Sequence, residues 1–512
     1  MRAQKTVKNV VWGFVYEAVV LICGFILPRL ILTSFGSEYN GITGAVRQFL
    51  QVIALFQAGI GGVTMAALYK PLAENDIVQI SIIVKSTESF MRKVVLIFLG
   101  FVIILACGFP FLFVDEFDWF FSASLVLIMS LSTCAQYFFG RTYQFLLNAD
   151  QHQRMISIVD SIKIIANTAI SAVMINFGYG IRSVMLTAAT VYVIAPLFIS
   201  VYTKKKYRII NNIERDNSVI EQRWDNFGQQ VANFVNSNSA LVILSFFSNV
   251  YEISVYTVYK LVINGVYGLF APLTKGVNAA FGNMLARKQY ELLKKNLRIY
   301  EQVVFVAGTF LFTVVIIMGL SFVGLYTTGV TDVDYNRPAF LVLITAATML
   351  KCFRIPYEGI ANAAGHFRQT RNPAFIEAAI NITISISLVF HLGVIGVAIG
   401  SLTAYMFRTV RFASYISQNL IRRSIWFFFK RLLLSAGCTL SVIIVSSVIP
   451  LQEASNFQLW IMNSVLVSII TITLIIAIEL IFYWNDIKEL TKLVKGVIRK
   501  RKPKKIESYK SE

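Results

Sequence analysis

An all-α, polytopic membrane protein follows from three features of this sequence. Of 512 residues, 56% are hydrophobic and 14% are charged, whereas a soluble chain carries about a quarter charged residues. The mean hydropathy is +0.66. The apolar residues are also gathered into runs, such as "VVLIFLGFVIILACGFPFLF" from Val94 and "NSVLVSIITITLIIAIELIFYW" from Asn463. Each run has about 20 residues, the length that crosses about 30 Å of hydrocarbon as helix.

Taken in order, the runs predict about fourteen spans, near residues 9–32, 40–69, 93–114, 119–147, 155–177, 180–203, 226–249, 254–285, 299–326, 338–362, 373–391, 393–416, 425–449 and 458–484. The first begins near Asn9, is too long for the core of a signal peptide, and has no small-residue cleavage pattern after it, so it reads as an uncleaved span. Very short turns, such as "GYG" at Gly178, join neighbouring spans into hairpins.

The basic residues orient the chain. With the N-terminus inside, the inward loops collect Lys70, Lys85, Arg92, Lys93, "KKKYR" from Lys204, Arg287 to Arg298, Arg422 and Arg423. The outward loops hold "DEFD" from Asp115, "TDVD" from Thr331 and Glu453, with Arg182 and Arg337 as their clear basic residues. This asymmetry predicts an N-in, C-in topology. The net charge of +20 is therefore mainly a topology signal, and no soluble basic domain is present to hold nucleic acid. The tail "IRKRKPKK" from Ile498 suits docking on anionic lipid or simple stop-transfer anchoring.

A long repeat organises the spans. "YQFLLNADQHQR" from Tyr143 and "YEGIANAAGHFR" from Tyr357 share Tyr, Asn, Ala, His and Arg at identical spacing, 214 residues apart (357 − 143). Asn167 and Asn381 keep that offset. Phe35, Tyr39 and Ala67 map on Phe247, Tyr251 and Ala279 at an offset of 212, for example 247 − 35. Spans 1–6 thus match spans 7–12 as a parallel repeat. The expected organisation is a lobe at 1–203, a basic linker at 204–225, a second lobe at 226–420, spans 13 and 14 at 421–484 and a basic tail at 485–512. His152 and His366 fall in the repeated motif at turns of different lobes, with no ligand spacing around them, so neither metal nor cofactor is expected. The five cysteines all lie in apolar runs and read as packing residues. No "GxxxxGK[ST]" occurs, which argues against ATP hydrolysis.

Two bundles side by side enclose a cleft, and charges inside spans point to its lining. A charge at mid-membrane costs about 2.5–3.5 kcal/mol or more and so faces protein or water. Glu17 lies in span 1, Arg29 at its far end, Arg47 in span 2, Lys260 and Lys275 in span 8, Lys351, Arg354 and Glu358 in span 10, and Glu377 in span 11. Arg47 and Lys260 are near-equivalent in the two repeats and are expected to face each other. Span 7 begins "NFGQQVANFVNSNSA", whose Gln229, Gln230, Asn233, Asn236 and Asn238 suit a wet wall offering amide hydrogen bonds to sugar. Cations beside amides suggest a large, polar, anionic substrate bound by Arg29, Arg47, Lys260, Lys275 and Arg354. Structural ion pairing is the competing reading, above all for Arg354 with Glu358. Glu17 and Glu358 are candidates for ion coupling, or for neutralising a neighbouring arginine.

The opening "TVKNVVWGFVYEAVVLICGFILPRLILTSFGSEYNGI", the later "YKPLAEND" and the repeated "NA" turn resemble the bacterial polysaccharide repeat-unit flippases of the Wzx type. These belong to the multidrug/oligosaccharidyl-lipid/polysaccharide exporter superfamily. The resemblance covers nearly the whole chain. It implies a non-enzymatic transporter in the bacterial plasma membrane that moves undecaprenyl-pyrophosphate-linked oligosaccharide to the outer leaflet. It also implies an ion gradient as energy source, and polymerase and glycosyltransferases as partners. Lipid-linked-precursor flippases carry functional basic residues on the helices that hold Arg29, Arg47 and Lys260. Other readings stay open: a multidrug or peptidoglycan-precursor exporter of the same fold, an integral-membrane glycosyltransferase or polymerase, and a scaffold. The enzyme reading lacks a large outward loop, and "DVD" at Asp332 reads as a solvated turn.

Overall fold

The computed structural model describes residues 2–500 apart from 211–212, 214–215, 217–226, 271–280, 283, 286 and 450–453. Side chains at 2–10, 56–59, 227–230, 232–233, 367–368, 485–487 and 489–500 lie outside that description. Every regular element among the described residues is helical. Ten helices are long and apolar enough to cross a membrane, or up to eleven when the bent pair Ser37–Leu55 and Ile60–Glu74 counts as one span.

The part expected as the first repeat contains α1 (Arg2–Phe35), α2 (Ser37–Leu50), α3 (Ile53–Glu74), α4 (Ile77–Gly108), α5 (Trp119–Ala135), α6 (Arg141–Ala149), α7 (Gln153–Asn176) and α8 (Ile181–Tyr207). A single π turn, Gln136–Gly140, joins α5 to α6. The second contains α9 (Phe227–Phe247), α10 (Val250–Gly268), α11 (Tyr290–Tyr326), α12 (Pro338–Ala363), α13 (Phe367–Leu392) and α14 (Val394–Ile416). Two further helices follow, α15 (Trp426–Val448) and α16 (Phe457–Lys500), the latter kinked at Tyr483 (φ −133, ψ 33). Within the described residues the expected segments fall on helices or helix pairs, and residues 271–280 of the segment expected at 254–285 lie outside the described residues. α9, α10 and α14 are too short or too polar to meet the spanning test on their described residues.

Local chemistry sets the boundaries. The carboxylate of Asp76 caps α4 by accepting the Gln79 N–H at 3.0 Å. Asp118 does the same for α5 at the Phe120 N–H, and Asn456 for α16 at the Leu459 N–H. Such side-chain acceptors satisfy amide donors left over at a helix start. The cap at Asp76 places Lys85, Arg92 and Lys93 on a helical extension of α4 rather than in a loop.

Contacts divide the chain into two compact units that interleave in sequence. The first comprises residues 1–268, 326–344 and 367–404. In it α1 packs along α7, α7 on α8, α8 on α5, α5 on α4 and α4 on α3, while α2 packs on α10 and α9 on α13. Leu68, Val84, Leu146, Leu147, Ile199 and the ring of Tyr143 form one of its buried clusters. Residue 210 and residue 216 of the linker donate backbone N–H bonds to Ser81 and Ser86 of α4, at 3.1 and 3.0 Å. The second unit comprises 269–325, 345–366 and 405–512. There Phe305 stacks on Phe353 at 4.0 Å between centroids, and Trp460 donates its indole N–H to the Met318 carbonyl at 3.1 Å.

Candidate functional site: the junction of α2 and α10

Both helices of this junction belong to the first unit, and small residues bring them together. A Cβ on Gly41 would lie 2.1 Å from the Val250 carbonyl oxygen, and one on Gly44 would lie 2.8 Å from Thr257 Cγ2. Only glycine permits this approach. Asn40 Nδ2 donates to Ser254 Oγ at 2.9 Å and to Thr257 Oγ1 at 3.0 Å. The Tyr251 phenol donates to the Glu38 carboxylate.

The segment between α11 and α12 closes over this end. Asp332 accepts from the Ser37 backbone N–H and from Ser37 Oγ, both at 2.7 Å. Tyr335 Oη bonds Ser37 Oγ at 2.8 Å and Ser254 Oγ at 2.7 Å, so one phenol bridges the two helices. Burial pushes the Tyr335 phenol up to about 12, which keeps it protonated at any physiological pH. The Tyr259 hydroxyl donates to the Tyr335 carbonyl at 2.6 Å. Glu252 accepts from Arg337 at 3.4 Å and from the Val394 N–H at 3.1 Å, fixing the tight α13–α14 turn at Gly393. At the far end of α1, Arg29 donates to the Tyr326 carbonyl at 2.8 Å. The reading of Asp332 as a solvated turn residue is thus incomplete: the residue is exposed, yet its carboxylate holds the start of α2.

The register continues inward. Gly44 meets Thr257, and three residues further along each helix stand Arg47 and Lys260. Arg47 is exposed. Lys260 is half-buried, with its ammonium 5.5 Å from the Tyr256 ring centre. On the other side of α2, Gln48 is buried and donates to Asn238 of α9. Asn236 is 6% exposed and accepts from Asn381 Nδ2 of α13 at 2.9 Å. Its amide is therefore engaged within the protein. Gln229, Gln230 and Asn233 carry side chains outside the described residues, as does Lys275. Glu17 is exposed, next to Tyr16.

Sequence reasoning missed a polar group inside the first repeat. Asp160 and Lys163 of α7 form an ion pair. The Lys163 ammonium lies 5.2 Å from the Tyr192 ring of α8, and Tyr16, Arg141 and Arg47 lie in electrostatic reach of the same group. The repeat held a usable signal, because Lys163 is the counterpart of Glu377 at the 214 offset (377 − 163).

The second unit holds two further clusters. Glu358 sits among Arg354, Arg408 and Lys351, with Arg354 Nε at 3.3 Å. Arg354 is 5% exposed and Arg408, which sequence reasoning did not single out, 1%. Lys351 also lies over the Tyr405 ring at 5.7 Å. Arg354 and Glu358 therefore form the ion pair that was one of the two expected readings. The other cluster centres on Glu301 of α11. Arg423 donates to both of its carboxylate oxygens, one at 2.8 Å, and Arg431 Nε approaches at 3.9 Å. Gln302 links Arg431 to Glu479 of α16. Burial lowers the Arg423 pKa, but the Glu301 carboxylate and the Tyr357 hydroxyl together raise it above its ordinary value.

The repeated motif now has a structural meaning. Tyr143 lies beside Glu88 of α4, and Tyr357 lies beside Glu301 of α11. Those two glutamates are 213 residues apart (301 − 88). The histidines diverge: His152 faces Asp150 at 3.3 Å, while His366 Nδ1 pairs with the Tyr415 hydroxyl at 2.8 Å.

Comparison with family models gives no match, and comparison with characterised protein sequences gives none. Comparison with solved structures defines the class: a polytopic helical membrane fold shared with two kinds of transporter. The chain is similar to the lipid II flippase MurJ in an inward closed conformation, with a TM-score of 0.72 and 17% identity over 94% of this chain and 99% of that one. It is similar to the MATE multidrug transporter DinF-BH, at 0.59 and 15% over 82% and 96%. An inward-facing multidrug resistance MATE family transporter of the MOP superfamily matches at 0.58 and 12% over 78% and 95%. At these identities the shared property is the fold.

Proposed function

We propose that the protein is a flippase for undecaprenyl-pyrophosphate-linked oligosaccharide, carrying the repeat units of a surface polysaccharide across the plasma membrane by alternating access. The observation that carries this reading is the α2–α10 junction. Two helices of equal rank in the two repeats meet at one end, and each presents a basic residue one turn further along, Arg47 exposed and Lys260 half-buried. A guanidinium and an ammonium at such a place suit a pyrophosphate, which Arg binds through paired N–H donors and Lys through a point charge. Arg29 lies on the same end of the first repeat and Lys275 continues the same span in sequence. Arg354 belongs to a separate cluster with Glu358. Ion coupling through Glu17 or Glu358 and association with polymerase and glycosyltransferases belong to the same proposal.

The fold shared with a lipid II flippase over nearly the full length of both chains favours a lipid-linked substrate over a soluble drug. It also keeps a second reading in view, export of a peptidoglycan precursor. Both substrates share the lipid pyrophosphate and differ in their sugars. Proteoliposomes loaded with fluorescent lipid pyrophosphates of the two kinds separate them. Arg47→Ala and Lys260→Ala are each expected to reduce translocation at least tenfold at unchanged protein level, since a charge-assisted hydrogen bond contributes about 1.5–3 kcal/mol. Parental translocation by both variants would overturn the assignment of the site. Preference for the peptidoglycan precursor would move the substrate to the second reading.

A further inference from the structure

We propose that Asp332 is a latch whose double hydrogen bond to Ser37 holds the α2–α10 end closed, and that it must release each time this end opens. The inference rests on the alternating-access reading above. Ser37 is the first residue of α2, so its N–H has no acceptor within the helix. The N-cap is Gly36 at φ 95, which has no side chain to serve. The acceptor comes instead from Asp332, 295 positions away in sequence. A carboxylate at a helix start is favoured both by the free donors and by the helix dipole.

The latch is built to let go. Asp332 is exposed, so water can replace Ser37 as it leaves. Tyr335, three residues on, carries the closure from Ser37 across to Ser254 of α10. Behind these polar links the helices meet through Gly41 and Gly44, and Asn40 of α2 adds bonds across this contact, to Ser254 and Thr257. Glu301 with Arg423 shows the opposite design, at side-chain exposures of 1% and 7%, where separation would strand a charge away from water. The charged and titratable groups around the latch are Glu38 and Tyr251 at the α2–α10 contact, Glu116 near Tyr251, and Glu252 with Arg337.

The test uses the full chain in membrane vesicles with Val250→Cys as reporter, because Val250 is fully buried against Gly41 and makes no latch bond. A membrane-impermeant maleimide is applied from the side bearing the segment 327–337. Asp332→Ala is expected to raise the labelling rate about ten- to hundredfold over the reporter alone, the range that follows from losing hydrogen bonds to a charged group. Ser37→Ala, which keeps the backbone bond, should give a smaller rise, and Asp332→Asn should recover part of the closure. Asp334→Ala is the control, since Asp334 bonds only locally to the Asn336 N–H among the contacts described. An unchanged rate in Asp332→Ala, or an equal rise in Asp334→Ala, would overturn the latch. If Asp332→Ala fails to accumulate, Ser37→Ala decides in the same way. Labelling needs no lipid-linked substrate, so a protein that labels as expected yet fails to flip pyrophosphate lipids overturns the substrate reading alone.

Discussion

Arg423→Leu is expected to lower the stability of the purified protein by about 3–5 kcal/mol, the usual cost of stranding one partner of a buried ion pair. Glu301 is fully buried, and Arg423 supplies the hydrogen bonds to both of its oxygens. After removal of Arg423, Arg431 stands at 3.9 Å and is already engaged with Gln302. Glu301→Leu should be similarly harmful, because it leaves the Arg423 charge buried. The double variant Glu301→Leu with Arg423→Leu should be milder than either single one. It removes one charge of each sign and leaves Arg431 balanced by Glu479 through Gln302. Thermal unfolding followed by intrinsic fluorescence measures all three. Additive losses in the double variant would show that Glu301 and Arg423 act independently.

Gly41→Ala is expected to abolish transport while leaving expression and fold intact. The new methyl would stand 2.1 Å from the Val250 carbonyl oxygen, and backbone on either side leaves nothing flexible to move. The two helices must then separate by about 1 Å, within the roughly 1–3 kcal/mol typical of overpacking. Separation breaks the 2.9 and 3.0 Å bonds from Asn40 to Ser254 and Thr257. The protein would accumulate with this end open. Labelling of Val250→Cys should rise as sharply as in Asp332→Ala, and translocation should fall below detection. Gly24→Ala serves as the comparison, because its methyl would meet only Leu261 Cδ1 at an ordinary 3.9 Å. Parental transport by Gly41→Ala would mean that close approach of α2 and α10 is not part of the cycle.

The sequence revealed much of the fold because apolar runs and helices obey the same length rule. The expectation of a repeat rested on identities at polar turns, Tyr143 to Arg154 and Tyr357 to Arg368, which stand out from apolar sequence. Arg47 and Lys260 were found through that repeat. What stayed hidden was long-range polar pairing. Asp332 lies 295 residues from Ser37, and nothing local distinguishes it from a solvated turn residue. Glu301 and Arg408 escaped because their counter-charges, Arg423 and Glu358, lie far away along the chain. Asp160 and Lys163, three apart on one helix face, neutralise each other inside a span that still reads as apolar. The cap at Asp76 shows a boundary error of the same origin: periodicity marks the buried face, not where a helix ends beyond the membrane.

Tyr143 with Glu88 and Tyr357 with Glu301 stand at matching positions of the sequence, 214 and 213 residues apart, and what differs is the source of their counter-charges. In the first copy they come from the same helix, Lys85 at 3.2 Å and Arg92 at 3.0 Å from Glu88. In the second copy the positions matching Lys85 and Arg92 are Arg298 (85 + 213) and Phe305 (92 + 213), and Arg423 and Arg431 approach the glutamate from outside its helix. Those arginines lie immediately before and within α15. The buried acid of α11 is thereby neutralised from the segment that leads into and forms α15, so these two helices are tied by charge as well as by the Phe305–Phe428 and Thr313–Thr439 contacts.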